Sequence, residues 1–279
     1  MTAPAPTLDL ERELARRSGP GRRVVVGLDE VGRGALAGPV AVGAVAVAIT
    51  DGQVVPLPDG VRDSKKLTAR RREALVDPIR EAALAGAVGW AEAAEIDEIG
   101  IMPALTRAAL RALEGLGVEA DALLLDGDVD VLTPALTAAE RPAPLVQLRV
   151  AADRDCASVS AASIMAKVAR DARMVALHEE APEYGWASNK GYGAAVHRTA
   201  IDRIGVHEHH RRSWRLGSAP AAGRSAPAGR PAPGTRPAVT AAAPDAGARI
   251  PATVTGPGTG PAGVLWEGPW STQDEEERR

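Results

Sequence analysis

Short apolar runs divide much of the chain into predicted β-strands. Residues 23–30 (RVVVGLDE) and 38–49 (GPVAVGAVAVAI) are nearly continuous apolar segments, as is typical of buried strands, and the glycine-rich stretch between them predicts a hairpin. Three further runs of this kind fall at residues 86–93, 122–127 and 144–150. The pattern therefore predicts about five strands.

Three other segments repeat their apolar residues at the period of an α-helix. Residues 68–82 predict one helix, and residues from about 158 to 178 predict another. A third helix is predicted by a single apolar stripe, made of Met102, Leu105, Ala109, Ala112, Leu113 and Leu116. A hairpin followed by strands that alternate with helices favours an α/β fold, with a mixed central sheet and flanking helices.

The composition changes sharply near residue 218. Residues 218–279 are rich in Ala, Pro and Gly, so they can bury little apolar surface and are predicted to be disordered. Trp266 and Trp270 could form a short docking element there, although a tail without a specific role is the favoured interpretation, and no protein partner is identified. We expect residues 1–20 to be an N-terminal extension and residues 21–217 to be the folded domain.

Charge and cysteine content limit the class of protein. The formal net charge is −3, so the chain as a whole has no basic field that would attract nucleic acid. Cys156 is the single cysteine and cannot form an intramolecular disulfide, which fits a reducing compartment. We find neither a signal peptide nor an apolar run of membrane-spanning length. These features predict a monomeric cytoplasmic protein with no membrane association.

Acidic residues follow three of the predicted strands. They are Asp29 and Glu30, Asp126 and Asp128, and Asp153 and Asp155. When neighbouring strands of one sheet end in acids at the same edge, their carboxylates converge, and like charges at short distance are unfavourable until cations bind. Oxygen ligands without Cys or His favour Mg²⁺ or Mn²⁺, and two such ions can support phosphodiester cleavage. The pattern is consistent with a two-metal site.

A structural explanation of these acids remains open at this point. Asp is common after strands because it favours turns and helix caps. In addition, Asp29 and Glu30 are consecutive and would point to opposite faces of a regular strand. If both face one site, the chain must bend at Glu30, and Gly32 and Gly34 make such a bend feasible.

Six ordered segments of the chain closely resemble bacterial ribonuclease HII. They are GLDEVGRGALAGPVAVGAV (27–45), DSKKL (63–67), LLLDGD (123–128), ADRDCASVSAASIMAKVARD (152–171), YGWASNKGYG (184–193) and HRRSW (210–214). Together they span about residues 23–216. The resemblance implies a ribonuclease H-like fold with a helical C-terminal part, and a metal-dependent endonuclease.

The resemblance also implies which carboxylates bind the metal ions. Asp29, Glu30, Asp126 and Asp153 match the family's four metal-binding positions, whereas Asp128 and Asp155 do not. One departure lies just before Asp153, where Ala151 and Ala152 replace the Lys-Gly that is usual in the family. Loss of that lysine is expected to weaken electrostatic contact with the substrate.

The implied substrates are RNA/DNA hybrids and duplex DNA that contains single ribonucleotides. Cleavage 5′ to the ribonucleotide would leave 3′-hydroxyl and 5′-phosphate ends. In the family, a Gly-Arg-Gly turn senses the ribose 2′-hydroxyl together with a tyrosine, and both are matched here. The residues expected to contact nucleic acid are Gly32, Arg33, Gly34, Lys65, Lys66, Lys190 and Tyr192.

The negative net charge requires a local basic surface. We expect Arg33, the lysines named above and residues 210–215 to form a positive strip beside the acidic centre. His207, His209 and His210 are interpreted as surface-packing or phosphate-contacting residues rather than metal ligands. Two other functions remain as alternatives: a resolvase-like DNA nuclease of the same fold, and a non-catalytic protein that binds hybrids.

Overall fold

The structure is a computed structural model that describes residues 5–138 and 144–217. The predicted disordered tail at 218–279, with Trp266 and Trp270, lies outside the described residues. The described helices are α1 (Asp9–Ser18), α2 (Ala69–Ala82), α3 (Ala93–Ile99), α4 (Ile101–Gly115), α5 (Thr133–Ala138), α6 (Ala152–Asp155), α7 (Ala157–Glu180), α8 (Trp186–Asn189) and α9 (Ala195–Ile204). The strands are β1 (Arg22–Val31), β2 (Val40–Thr50), β3 (Ala85–Ala91), β4 (Ala122–Asp126) and β5 (Leu145–Arg149).

The strands form one mixed sheet in the order β3-β2-β1-β4-β5. β1 pairs antiparallel with β2, which confirms the predicted hairpin, and β2 pairs antiparallel with β3. On the other side, β1 pairs in parallel with β4, and β4 pairs in parallel with β5. The predicted five-stranded mixed sheet is therefore confirmed, and β1 lies at its centre.

Helices cover both faces of this sheet. On one face, α4 packs through small side chains such as Ala104, Ala108 and Ala112 against β2 and β3. On the other face, α7 packs against alternate residues of β1 and β2, including Val25 and Val45. Because both faces are buried, the central strands are apolar throughout rather than alternating with polar residues. This arrangement explains the continuous apolar runs of the sequence.

The helix predictions hold for α2, α4 and α7, whereas α1 and α3 were not predicted. α1 has only one fully buried apolar anchor, Leu14, in an otherwise charged sequence. Its buried Glu11 accepts hydrogen bonds from the backbone N and the hydroxyl of Ser158, at 2.9 and 2.7 Å, in the first turn of α7. Within residues 5–138 and 144–217, no helix is both long and apolar enough to span a bilayer.

A separate apolar cluster forms where the C-terminal part of the domain meets the loop after β1. Leu36 and Ala37 from this loop pack with Trp186 of α8 and Ile201 of α9. The cluster also contains Met174 from the second half of α7. The C-terminal helices therefore hold the loop that follows the central strand, and the loop's position depends on residues far away in sequence.

Candidate active site

The first three predicted carboxylates lie where two central strands diverge. Leu28 of β1 pairs with Leu125 of β4, so the next residues, Asp29 and Asp126, lie side by side on neighbouring strands. β4 ends at Asp126, whereas β1 continues and stays paired with β2. The divergence leaves one edge of β1 open beside Asp29 and Glu30.

Asp153 reaches the same place through a short helical turn. Ala151 adopts a left-handed conformation with φ 59°, and α6 begins at the next residue. The backbone N of Ala152 donates a 2.7 Å hydrogen bond to the Asp126 carboxylate. The hydroxyl of Ser160 in α7 donates a 2.7 Å bond to the carbonyl of Asp153. These bonds fix the entrance to α7 against the end of β4.

The bend expected at Glu30 is wrong. β1 remains in register with β2 through the pair Val31 and Ala41, and the turn begins only at Gly32. Asp29 and Glu30 therefore point to opposite faces of a regular strand. The side chains of Asp29 and Glu30 can still both interact with Asp126. β4 ends beside Asp29, so no neighbouring strand separates the two faces of the sheet at this point.

The charges of these carboxylates influence one another. Burial raises the pKa of Asp29 to about 7, a hydrogen bond with Ser163 opposes the rise, and the charges of Glu30, Asp126 and Asp153 add to it. Burial also raises the pKa of Glu30, with a further contribution from Asp126. For Asp153, burial again raises the pKa, and Lys65 opposes the rise. Simultaneous ionisation of these desolvated carboxylates is therefore unfavourable in the free protein.

These residues fit the ions predicted from the sequence. All the converging side chains offer oxygen ligands, which hard divalent cations prefer. Cations would also remove the mutual repulsion that raises the pKa of Asp29. The donor set therefore fits Mg²⁺ or Mn²⁺, with Asp29, Glu30, Asp126 and Asp153 as the candidate ligands.

A cavity of about 110 Å³ lies on the α4 side of the carboxylates. Asp29, Glu30 and Asp126 line it together with apolar residues such as Met102. Asp128, which the resemblance excluded from the ligand set, also lies in this wall. Asp155, the other excluded acid, instead pairs with Arg149 at 2.5 Å. The two excluded acids therefore lie in different surroundings.

Lys65 and Lys66 are both exposed, and Lys65 lies beside one of the carboxylates. The ammonium of Lys65 is 3.3 Å from the Asp153 carboxylate. Asp63 orients this turn by accepting a 3.0 Å hydrogen bond from the backbone N of Lys65. The neighbouring Ser64 hydroxyl is 2.8 Å from the Ser163 hydroxyl, which connects the turn to Asp29. Sequence reasoning did not select Asp63, Ser64 or Ser163.

The two glycines of the Gly-Arg-Gly turn have different surroundings. Gly32 has φ 87°, and a Cβ atom there would lie 2.0 Å from Nε of Arg170, so the fold itself requires glycine. A Cβ atom at Gly34 would meet nothing within 4 Å. Between them, the Arg33 guanidinium is 4.0 Å from the Glu30 carboxylate and donates to the Met102 sulfur at 3.4 Å.

The Lys190–Tyr192 segment lies against the same loop. The backbone N of Leu36 donates a 2.7 Å hydrogen bond to the carbonyl of Gly191. Tyr192 is partly exposed, and its ring centre is 5.4 Å from the guanidinium carbon of Arg170. The Lys190 ammonium bonds the carbonyl of Ala187. The structure thus brings Tyr192 to the Gly-Arg-Gly loop, although the two are about 160 residues apart in sequence.

The surface role expected for residues 210–215 is wrong for His210 and Arg211, which are both fully buried. The side chain of Arg211 faces the loop after β1 rather than a basic strip. His207 and His209 are partly buried, and ligand atoms of these histidines and Glu208 lie within 4.8 Å of one another. His209 also bonds Glu180 at 3.1 Å.

Sequence comparison finds one family along most of the described chain. The sequence model of ribonuclease HII matches residues 26–216. The chain is 43% identical over 209 residues to ribonuclease HII of Streptomyces avermitilis, covering 75% of this chain and 83% of the relative. It is 46% identical over 190 residues to ribonuclease HII of Chromohalobacter salexigens, covering 68% and 88%.

Two solved archaeal structures share this architecture. Ribonuclease H2 of Pyrococcus horikoshii matches with a TM-score of 0.58 and 29% identity, over 69% of this chain and 94% of that protein. Ribonuclease HII of Archaeoglobus fulgidus, solved in complex with PCNA, matches with a TM-score of 0.53 and 26% identity, over 68% and 93%. The residues matched by the family model, 26–216, include most of the sheet and the C-terminal helices that hold the loop.

Proposed function

The chain belongs to the ribonuclease HII family. We propose that it cleaves RNA/DNA junctions with two divalent metal ions, which its four converging carboxylates bind. Family membership makes the protein an endoribonuclease that acts on the RNA strand of RNA/DNA hybrids. The proposal adds the metal ligands, the contacts to nucleic acid, and the cleavage of single ribonucleotides in duplex DNA.

One observation carries the proposal. Asp29 is buried, and its pKa is raised to about 7, first by this burial and further by the charges of Glu30, Asp126 and Asp153. Such an arrangement destabilises the ionised free protein, so the fold has no need of it. A site for divalent cations explains it, because cations would convert the mutual repulsion into attraction.

The family depends on divalent metal ions, and two bound ions supply Lewis-acid stabilisation of the attacking and leaving oxygens in phosphodiester cleavage. Asp29, Glu30, Asp126 and Asp153 would hold them. Ser163 orients Asp29 through its hydrogen bond. Lys65, beside Asp153, carries the positive charge that can contact the substrate's phosphate backbone.

Recognition of the ribose is assigned to the loop that follows β1. Gly34 is open to solvent and lacks a side chain, so a sugar edge can approach its backbone closely. Arg33, next to Gly34 in the chain, and Tyr192, next to the residue that bonds this loop, are both accessible. The 2′-hydroxyl is the group by which a protein distinguishes RNA from DNA. Contact there selects the junction, and cleavage 5′ to the ribonucleotide leaves 3′-hydroxyl and 5′-phosphate ends.

Lys66 and Lys190 extend this surface as contacts to the phosphate backbone. Lys66 is exposed next to Lys65, and Lys190 directly precedes the segment that holds Tyr192. A flexible ammonium suits a point contact with phosphate. The monomeric state, the cytoplasmic location and the domain limits at residues 21–217 belong to the same proposal.

A substrate panel tests the proposed function. Purified protein is incubated with Mg²⁺ or Mn²⁺ and three labelled duplexes: DNA with one ribonucleotide, an RNA/DNA hybrid, and DNA alone. We expect cleavage of the first at a single position 5′ to the ribonucleotide, cleavage of the hybrid, and no cleavage of DNA. Cleavage of DNA alone would indicate a resolvase-like nuclease, and binding without cleavage would indicate a scaffold protein.

A further inference from the structure

Two fully buried arginines lie beside the loop that follows β1. Arg170 comes from the middle of α7, and Arg211 comes from the segment after α9. Among residues 5–138 and 144–217, neither guanidinium forms an ion pair with a carboxylate. A buried charge without a counter-charge is costly, and burial lowers the pKa of both groups, to about 9 for Arg211. The mutual repulsion of the two arginines adds to the shift for Arg211.

Backbone carbonyls take the place of counter-charges. Arg170 donates to the carbonyls of Pro39 at 2.8 Å, Lys190 at 3.0 Å and Ala37 at 3.4 Å. Arg211 donates to the carbonyls of Gly32 at 2.7 Å, Arg33 at 2.8 Å and Gly38 at 3.1 Å. Every acceptor lies either in the loop at residues 32–39 or at Lys190, next to Gly191 and Tyr192.

Aromatic rings and close packing keep both side chains in place. The ring of Tyr192 lies 5.4 Å from the guanidinium carbon of Arg170, and the ring of Trp214 lies 4.9 Å from that of Arg211. The Cα of Gly32 packs directly on Arg170. Arg211 therefore holds the Gly-Arg part of the turn, and Arg170 connects the same loop to the tyrosine segment.

We propose that Arg170 and Arg211 form a two-arginine clamp, which fixes the Gly32–Gly34 turn against Tyr192 and so sets the selectivity of the enzyme for a single ribonucleotide. The inference rests on the proposed function and adds two positioning residues to it. Neither arginine is accessible to substrate, so each acts through the loop and not by contact with nucleic acid.

The clamp requires the planar, forked geometry of the arginine guanidinium. A guanidinium presents five donors in a rigid plane and can bond three carbonyls at fixed angles, whereas a lysine ammonium keeps the charge but not the geometry. Arg170→Lys and Arg211→Lys therefore preserve the charge and loosen the loop. An RNA strand offers a 2′-hydroxyl at every nucleotide, whereas a duplex with a single ribonucleotide offers only one. A displaced loop therefore lowers cleavage of the single-ribonucleotide duplex more than cleavage of the hybrid.

The test measures a ratio that protein unfolding does not change. kcat/KM is determined with Mg²⁺ for the single-ribonucleotide duplex and for the hybrid, and the first value is divided by the second. A variant that is only less stable loses activity on both substrates equally. We expect the ratio to fall roughly tenfold or more in each lysine variant, because small displacements of substrate-positioning groups are costly. Arg111→Lys, whose side chain bonds Glu95 and the carbonyl of Trp90, is the matched control and keeps the wild-type ratio.

A second variant covers the case in which the lysine variants do not fold. Trp214→Leu removes the ring over Arg211 and leaves every donor and acceptor of the clamp in place, so the ratio should fall in the same direction by a smaller factor. Ratios within twofold of wild type in the folded variants would overturn the clamp. If wild-type protein fails to cut the single-ribonucleotide duplex, the proposed function fails instead, so the two failures are distinguishable.

Discussion

The acidic centre and the loop after β1 deal with buried charge in opposite ways. In the acidic centre, four carboxylates of the same sign approach one another, with Lys65 as the nearest counter-charge. In the loop, the charges of Arg170 and Arg211 are already satisfied by carbonyls of the chain itself. The first region is incomplete without cations, whereas the second is complete in the free protein.

The chemistry of the side chains explains this contrast. An ionised carboxylate only accepts hydrogen bonds, so a group of them can be stabilised by cations or by donors, and the donors here are few. A guanidinium only donates, and backbone carbonyls are abundant in a loop. The proposed catalytic site would therefore depend on its ions, whereas the proposed recognition surface is already held in place by the chain itself. Four predictions test this contrast, in order of decreasing effect.

Asp29→Asn should abolish cleavage and largely spare binding. The amide keeps the shape of the side chain but removes one anionic ligand, so we expect kcat to fall on the order of a thousand-fold or more. Binding to the hybrid, followed by fluorescence anisotropy, should stay within a few-fold of wild type, since Asp29 is buried. Full activity of this variant would refute the metal assignment.

The same substitution should stabilise the metal-free protein at alkaline pH. The folded pKa of Asp29, about 7, lies above the ordinary value of 3.8, so the folded state holds more protons and wild-type stability declines as pH rises through that window. Between pH 5 and 8.5, the free energy of unfolding of Asp29→Asn should gain about 2 to 3 kcal/mol relative to wild type. Urea unfolding in EDTA measures this. The exposed Asp77→Asn should show no such gain, and an equal pH dependence of all three proteins would contradict the prediction.

Substitutions at the two glycines of the recognition turn should have different effects: one should lower stability, and the other should lower cleavage. Gly32→Ala places Cβ against Arg170 at a positive φ and should cost about 1 to 3 kcal/mol of unfolding free energy. Gly34→Ala meets no atom of the chain and should change stability by less than about 0.5 kcal/mol. Its methyl group stands where the sugar approaches, so cleavage of the single-ribonucleotide duplex should fall about tenfold. Thermal melts and initial rates measure both effects, and normal cleavage by Gly34→Ala would remove Gly34 from the recognition surface.

The buried histidines should make the fold sensitive to acid. The Trp186 indole donates to Nε2 of His197 at 3.0 Å, so the proton of His197 lies on Nδ1, which donates to the carbonyl of Tyr192 at 2.9 Å. The backbone N of His207 donates to Nδ1 of His210 at 2.9 Å, and Nε2 of His210 lies 3.0 Å from Nε2 of His197. Both rings are therefore neutral in this arrangement.

Burial lowers the pKa of His210 to about 4, and in the unfolded chain this histidine takes up its proton near the ordinary pKa of 6.5. The stability that depends on neutral His210 is complete above pH 6.5 and is lost as pH falls towards 4, by about 2 kcal/mol at pH 4.5. The measurement is made in the Asp29→Asn variant. In wild-type protein, protonation of Asp29 would raise stability as pH falls and would oppose the effect of His210. NMR titration of the ring signals should show a midpoint near 4, and a midpoint near 6.5 would show that His210 is not held neutral.

Much of the fold follows from local patterns of the sequence. The five strands, the hairpin and the helices α2, α4 and α7 are predicted because their apolar residues repeat at the strand or helix period over a sufficient length. α1 and α3 are short, and α1 is mostly charged, so the contacts that stabilise them are tertiary. Glu11 illustrates this, because its charge suggests an exposed position, yet it is buried against Ser158.

The candidate site was predictable in part for the same reason. Acids at strand ends are visible in the sequence, and the parallel pairing of β1 with β4 brings Asp29 and Asp126 together. The regular course of β1 through Glu30 was not visible, because it depends on where β4 stops. The buried position of Arg211 was not visible either, since a basic cluster is normally exposed.

The sequence by itself determined the apolar periodicity, the positions of the acids and the glycine turn, because these depend on the order of residues along the chain. Only the tertiary structure decided which charges are buried and what satisfies them. Desolvation and hydrogen bonding depend on neighbours that are distant in sequence: Ser163 beside Asp29, the carbonyls around Arg170 and Arg211, and Tyr192 beside the turn.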